Sequence, residues 1–454
     1  MHSLHWIFHR VVWLAAMLLI LPIATRGDDQ SGTIANEVPK LIRQLDANTR
    51  TERLTAEQRL VELGPQILPL LPPPELLPSA SVRDSVARLR ITLEQRLARE
   101  SVQPARITLS VTASIAEQVQ SLAQLSGNRL ILDGLSDADR ARRVEVDEHD
   151  ASFWPMLDDL CSRTGLRYQL DDQTNAVRIR TKTKSQTDPP ASTETGVAYA
   201  GAFRVSALAP QRRDVAGSAD RQLLRVPLRV LAEPRLRPLF LQFATLAITA
   251  HAADGLALAP FSPEAKYELP LAEKGRRAAA VDVDFLLSKD AALQRIDLRG
   301  KLTVTTAAGS ELISFPNLRQ AAAKKNAFIA RRRGGVTVTL ERANITVNKQ
   351  NQTEITTRIT VAYDSGGPAF ESHRSWLLHN EVFLTHDGGE RIAISDYETA
   401  LQEDGLVSIQ YRFIDDQLRN SETAPDYTFT YVAPTLLIDV PIEFDLKNIS
   451  ISPP

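Results

Sequence analysis

His379, Glu381, His386 and Asp387 form the one grouping in this chain whose residue types and spacing could assemble a reactive centre. Two imidazoles and two carboxylates carried by adjacent strands can converge on a divalent ion. Yet His386-Asp387-Gly388-Gly389 lies between two apolar runs, and Asp-Gly in that setting is a strong hairpin signal, so a turn without metal is expected. Glu145, Asp147, Glu148, His149 and Asp150 make an acidic knot that matches no calcium-loop spacing. It reads as a solvated loop whose Asp150 or Ser152 helps cap the helix that follows. Asp282 and Asp284 fall on one side of a strand by period-two alternation and are expected to face water rather than act as an acid–base pair. Beyond the amino-terminal leader the histidines are His149, His251, His373, His379 and His386, and none belongs to an H-E-x-x-H motif. G-x-S-x-G, the phosphate-binding loop and the G-x-G-x-x-G turn are also missing. The expectation is therefore no catalytic, cofactor-binding or metal-binding residue, and no cofactor.

Cys161 is the single cysteine, which removes disulfide frameworks, Cys-based zinc sites and Cys-x-x-Cys redox chemistry together. It follows Leu157 and Leu160 at helical spacing and reads as a buried structural thiol. A formal net charge of -2 speaks against a dedicated nucleic-acid binder, which carries a basic excess. Lys324, Lys325, Arg331, Arg332 and Arg333 gather positive charge without an intervening acid. An anionic surface is a candidate partner for that segment, and an exposed linker is the simpler account. The Arg-rich stretch over 204–237 is diluted by Asp214, Asp220 and Glu233 and is weaker evidence of a charged surface.

These residues need elements to hold them, and the chain announces its elements in blocks. Basic His9-Arg10, an apolar run over 11–23 and polar Thr25-Arg26-Gly27-Asp28 read as a secretory signal peptide over 1–27. The run is short of the ~18 to 20 apolar residues of a membrane-spanning helix, so cleavage is expected, with retention as an anchor the alternative. Over 28–103 apolar residues recur three and four apart, as in Leu41, Ile42 and Leu45, then Leu60, Leu63, Ile67 and Leu68, then Val82, Val86, Leu89 and Leu93. This is a helical unit punctuated by Gly64-Pro65 and Pro72-Pro73-Pro74. Over 104–180 the period alternates between two and 3.6 in the order β-α-β-β-α-β-β, a compact α+β module. A polar stretch over 181–196 reads as a linker. The remainder is strand-rich, and its length suits two β-sandwiches over 197–317 and 318–454, broken near 318–335. Turn-like residues divide 296–306 from 311–315 and 427–431 from 436–444.

Two of these blocks carry resemblances. Arg59-Leu60-Val61-Glu62-Leu63-Gly64-Pro65-Gln66-Ile67-Leu68-Pro69-Leu70-Leu71, followed by Val82-Arg83, resembles a single HEAT-like repeat; a plain helical hairpin is the alternative. Ile115-Ala116-Glu117-Gln118-Val119-Gln120-Ser121-Leu122-Ala123-Gln124-Leu125-Ser126-Gly127 before Leu130-Ile131-Leu132-Asp133 resembles the first half of the short amino-terminal domains of secretins and TonB-dependent transducers. Phe153-Trp154-Pro155-Met156-Leu157-Asp158-Asp159-Leu160-Cys161, leading through Gly165-Leu166-Arg167-Tyr168 to Val177-Arg178-Ile179, resembles the second half. That resemblance implies a Gram-negative periplasmic setting and a module that contacts proteins rather than one that catalyses. The charged insert over 136–143 departs from the pattern. Near the end, Pro441-Ile442-Glu443-Phe444-Asp445-Leu446-Lys447-Asn448-Ile449 resembles the closing segments of exported bacterial proteins of unassigned function.

The resulting expectation is a non-enzymatic exported protein of the periplasm or cell envelope, built from a helical unit, an α+β module and two β-sandwiches. It would serve as a structural or macromolecular interaction module with envelope proteins as partners and no nucleic acid. A carbohydrate-binding β-sandwich protein and a secreted hydrolase are the alternatives. Sugar platforms favour exposed aromatics, and only Trp154 and Trp376 remain beyond the leader as tryptophans.

Overall fold

The computed structural model describes residues 27–73, 76–77, 79–171, 174–181, 194–271, 278–324, 327–364, 377, 380–386, 390–403, 406–416 and 426–451. Residues 1–26 of the signal-peptide reading over 1–27, most of the linker and Lys325, His373, Trp376, His379 and Asp387 lie outside these residues. By its internal contacts the chain divides into two compact units with the boundary between Arg90 and Ile91. Among the described residues no helix is long and apolar enough to cross a membrane.

The first unit is helical. Its elements are α1 (Gly27–Gln44), α2 (Arg50–Leu63), a 3-10 turn at Pro65–Leu70 and the first part of α3 (Ala80–Ser101). The Thr49 hydroxyl caps α2 by accepting from the Glu52 N–H at 3.3 Å. Gly64 ends the helix at φ +81°, a conformation closed to most side chains, and Pro65 opens the next turn. Val38, Leu41, Leu45, Leu60, Ile67, Val82 and Val86 are buried, as the three-and-four spacing requires.

The second unit opens with the end of α3 and the α+β module: β1 (Ile107–Ser114), α4 (Ile115–Ser126), β2 (Leu130–Leu132), α5 (Asp137–Ala141), β3 (Arg143–Ala151), α6 (Phe153–Thr164), β4 (Leu166–Asp171) and β5 (Ala176–Thr181). Ser114 and Glu117 form a reciprocal capping box at the start of α4. β1 pairs antiparallel with β3, while β2 runs parallel to β5 and β4 antiparallel to it. The two helices bury Ile115, Val119, Leu122, Phe153, Trp154, Leu157 and Leu160 between these small sheets. The charged insert is the short, exposed α5, capped by Ser136. The acidic knot is not a loop, because β3 continues to Ala151 and displays Glu145, Asp147 and His149 on one exposed face.

The rest of the second unit is β-rich and almost wholly antiparallel. Its strands are β6 (Glu194–Ala200), β7 (Phe203–Leu208), β8 (Gln211–Asp214), β9 (Arg221–Ala232), β10 (Arg237–Ala244), β11 (Ile248–Ala252), β12 (Ala257–Pro260), β13 (Lys266–Pro270), β14 (Ala278–Ser288) and β15 (Arg295–Phe315). After the short helix α7 (Leu318–Ala322) come β16 (Ile329–Arg333), β17 (Val336–Val347), β18 (Thr353–Tyr363), β19 (Val382–His386), β20 (Ile392–Glu403), β21 (Leu406–Asp415) and β22 (Tyr427–Ser450). Period-two burial marks them throughout: β18 alternates buried and half-buried residues along its full length.

Two hydrophobic cores result, but the chain does not divide between them at 318–335. β22 pairs with β15 from Phe315↔Phe429 to Arg295↔Ser450, so both strands run through both cores. Ile442, Phe444, Leu446 and Ile449 therefore complete the first core, with Val205, Val226, Val283 and Leu298. The second core gathers Phe315, Leu340, Ile359, Tyr411, Phe413, Phe429 and Tyr431. α7 and β16 belong to this second core rather than to a connection between domains.

The turn-like residues within β15 and β22 serve a crossing instead. Gly309 faces Thr435 so closely that a Cβ there would lie 2.7 Å from the threonine hydroxyl. Pro434 needs no ladder N–H, and its carbonyl accepts from the Tyr363 hydroxyl at 2.7 Å. Conversely, the apolar run over 239–250 is interrupted by a 3-10 turn at Thr245–Ala247, although both flanking strands pair with β15.

Candidate functional site

Three arginines tie the parts of the second unit together, each by reaching groups far away in sequence. Arg204, in β7 between Phe203 and Val205, has a side chain only 7% exposed. Its Nη1 and Nη2 donate to both oxygens of Glu194 at 2.7 Å, and its Nε donates to Asp158 on α6 at 2.8 Å. The hydroxyls of Tyr168 and Tyr199 also donate to Asp158. Burial alone would lower the Arg204 pKa, but the bonds to Glu194 and Asp158 outweigh it and raise the value. Burial likewise pushes the Glu194 carboxyl up, and Arg204 overcomes this to hold it below the usual carboxylate range. This forked arrangement is the strong form of a charge-assisted pair, and it fastens the α+β module to the first core. Nearby, Trp154 is fully buried and its indole N–H donates to the Ala202 carbonyl at 3.2 Å.

Arg235 makes the second clasp. Its Nε donates to Glu233 at 2.6 Å, while its two terminal nitrogens donate to the carbonyls of Ser101 and Gln103 at the end of α3. Asn128, just after α4, donates to the same Glu233 oxygen at 3.1 Å and accepts from the Arg235 N–H at 2.9 Å. The Glu233 side chain is 0% exposed. Here burial wins over the attraction of Arg235, and the Glu233 pKa is raised. The third clasp is Arg332 of β16, which holds Glu94 of α3 at 2.9 Å and also Asp364. Burial opposes its charge, but Asp364 and Glu94 together raise its pKa.

The sequence-derived candidates fall differently. Glu381 is exposed and pairs with Arg391 at 2.8 Å, while His386 ends β19 with its ring edge-on to Tyr427. β19 and β20 pair antiparallel at Phe383↔Ala393 and Leu384↔Ile392, while Asp387-Gly388-Gly389 of the expected turn lie outside the described residues. Among the described residues no group of three or more His, Cys, Asp or Glu is arranged to hold a metal ion. His149 lies 3.3 Å from Asp147, and Asp150 pairs with Arg106. Asp282 and Asp284 share one side of β14 and both bind Arg225, at 3.2 Å and 2.7 Å. Cys161 is buried. The basic segment is not a free linker: Arg332 is clasped, Arg331 lies over the Phe315 ring at 5.4 Å, and Arg333 ends β16 exposed.

Sequence reading missed the clasps. Both Arg204 and Arg235 sit in the diluted basic stretch over 204–237, and Arg204 alternates with Phe203, Val205 and Ala207, a spacing that by itself turns it toward water, so no local signal marks either as a clasp.

Two open grooves add little reactive chemistry. One, of about 530 Å³, is lined by Thr249, Arg299, Lys301, Glu443, Phe444 and Asp445, and its charges pair across β15 and β22 at 3.0 and 3.2 Å. The other, of about 320 Å³, includes Arg213, Pro227 and the paired Arg225 and Asp282.

One five-stranded sheet has two edges of opposite charge. Its order is β16, β17, β18, β21, β20. β16 ends in Arg331-Arg332-Arg333, and β20 carries Asp396, Glu398 and Glu403.

No family model and no curated protein matches the chain. A solved structure described as the crystal structure of the conserved domain protein from Bacillus anthracis is similar over 58% of this chain and 93% of that chain. The identity is 8% and the TM-score 0.17, a likeness that carries no argument about fold or function.

Proposed function

We propose that the protein is an exported, non-enzymatic component of the cell envelope that acts as a structural and interaction module, presenting its α+β module on a stiff β framework. The observation that carries this reading is the set of arginine clasps. Among the described residues the half-buried to buried charges of Arg204, Arg235 and Arg332 and their acids hold α3, the α+β module and the β cores together. A rigid arrangement of this kind suits a spacer or docking platform, because binding then costs little ordering of the protein itself. Envelope proteins are the partners this reading calls for. The carbohydrate alternative loses Trp154 as a sugar platform, since that ring is fully buried.

Two measurements test the proposal. Amino-terminal sequencing of protein from fractionated cells should find a start near Asp28 in the soluble exported fraction; a start at Met1 in the cytoplasmic fraction would overturn export. Gentle solubilisation followed by native co-purification should recover the protein with other envelope components. Recovery free of any companion and of its own copies would overturn the interaction role.

A further inference from the structure

We propose that copies of this chain assemble head to tail, the acidic β20 edge of one joining the basic β16 edge of the next so that a single β-sheet continues through successive copies. The inference rests on the structural-module reading and names its partner as a second copy. β16 pairs with β17 on one side, and β20 pairs with β21. In the strand registers of the described residues, β16 pairs with β17 alone, and over 395–403 β20 pairs with β21 alone. Such edges present unpaired backbone donors and acceptors that another strand can complete.

Charge selects which strand that is. Residues 395–401 are all exposed, with Tyr397 at 42% and Leu401 at 47%. Asp396, Glu398 and Glu403 give β20 three carboxylates and no lysine or arginine; Asp396 is shared with Arg412 of β21 at 3.0 Å, so Glu398 and Glu403 carry the net negative charge of this edge. At the other edge Arg331 and Arg333 have no acid partner among the described residues, and Phe328 beside them is 65% exposed. Two β20 edges would set carboxylates against carboxylates, and two β16 edges guanidiniums against guanidiniums. Two-fold pairing of like edges is therefore disfavoured and the unlike pairing is favoured, which is the head-to-tail class of interface. The lengths also match. β20 has register shifts at Ile394/Asp396 and Thr399/Leu401, leaving a regular run over 396–399, and β16 is only five residues long.

Sedimentation velocity of the chain as the cell exports it tests this, over a concentration series at low and at high salt. Species larger than a dimer should grow with concentration at low salt and recede at high salt, since the attraction is screened. Ala330→Glu with Arg333→Glu makes both edges acidic; Asp396→Lys with Glu398→Lys makes both basic. Each variant alone should lose the growth while melting like the wild type. Mixed in equal amounts, the two should regain it, because acidic-edged and basic-edged copies then alternate. If either pair of changes disrupts folding, Arg333→Glu and Glu403→Lys, both at exposed strand ends, replace them. A wild type that stays monomeric at low salt, a saturating dimer, variants that assemble unaided, or a mixture that does not recover would each overturn the proposal. A monomer that still co-purifies with envelope proteins would leave the structural reading standing and remove only the self-assembly.

Discussion

The Arg204 and Arg235 clasps use the same chemistry and reach opposite electrostatic outcomes. Glu194 keeps partial contact with water and receives both terminal nitrogens of Arg204, so its carboxyl is held below the ordinary range. Glu233 is sealed and receives one guanidinium nitrogen and one amide, so desolvation dominates and its pKa rises. An ion pair is thus not a fixed quantity of stability. Depth and the number of donors decide whether the charged form is favoured or merely tolerated.

The largest effect expected is from Arg235→Ala. It strands a fully buried carboxylate and two carbonyls of the α3 end, at a cost of about 4 kcal/mol at neutral pH. The loss should shrink in mild acid, where Glu233 takes up a proton; urea unfolding at the two pH values measures it, and an equal loss at both would break the comparison. Arg204→Ala should come next at about 3 kcal/mol, because Asp158 and Glu194 can each recover some water. A loss larger than that of Arg235→Ala would reverse the ranking by depth.

A third test sharpens the contrast by sign. Glu194 has a lowered folded pKa, so its contribution is present above the ordinary value of 4.5 and is lost as pH falls through the folded pKa. Glu233 has a raised pKa, so its contribution is best below 4.5 and declines as pH climbs through the raised value. Relative to wild type, Glu194→Gln should therefore look worse at neutral pH than in acid, and Glu233→Gln better. Melting curves across that window that slope the same way for both variants would refute the assignment. The smallest effect is expected outside the clasps: His386→Ala should change stability by less than about 1 kcal/mol, with no response to a chelator. A chelator-dependent drop in the wild type alone would reinstate a metal at His386.

Much of the architecture was legible in the linear chain. The change from 3.6-residue to two-residue periodicity located the helical unit, the α+β module and the β region. The Ser114–Glu117 capping box at α4 and the Gly334-Gly335 turn from β16 into β17, both glycines at positive φ, are local signals that the reading of 104–180 and 318–335 passed over. The errors share one cause. Ala307-Ala308-Gly309-Ser310 and Ala433-Pro434-Thr435 carry turn propensity, yet each is strand because the other lies opposite it, with Gly309 paired to Thr435 and Ser310 to Pro434. The acidic knot over 145–150 reads as a loop until β1 supplies the pairing that carries β3 through its acids.

By itself, then, the sequence determined which segments are helix and which are sheet-forming, where caps and tight turns fall, and that no standard catalytic motif is present. Those are local properties, set by side-chain spacing and by backbone preferences of neighbouring residues. Only the tertiary structure decided that β22 returns to complete the first core, that Arg204 meets Asp158 across 46 residues, and that Arg332 meets Glu94 across 238. A buried arginine demands a carboxylate, but nothing in its own neighbourhood says which one, because the partner is chosen by how the whole chain closes.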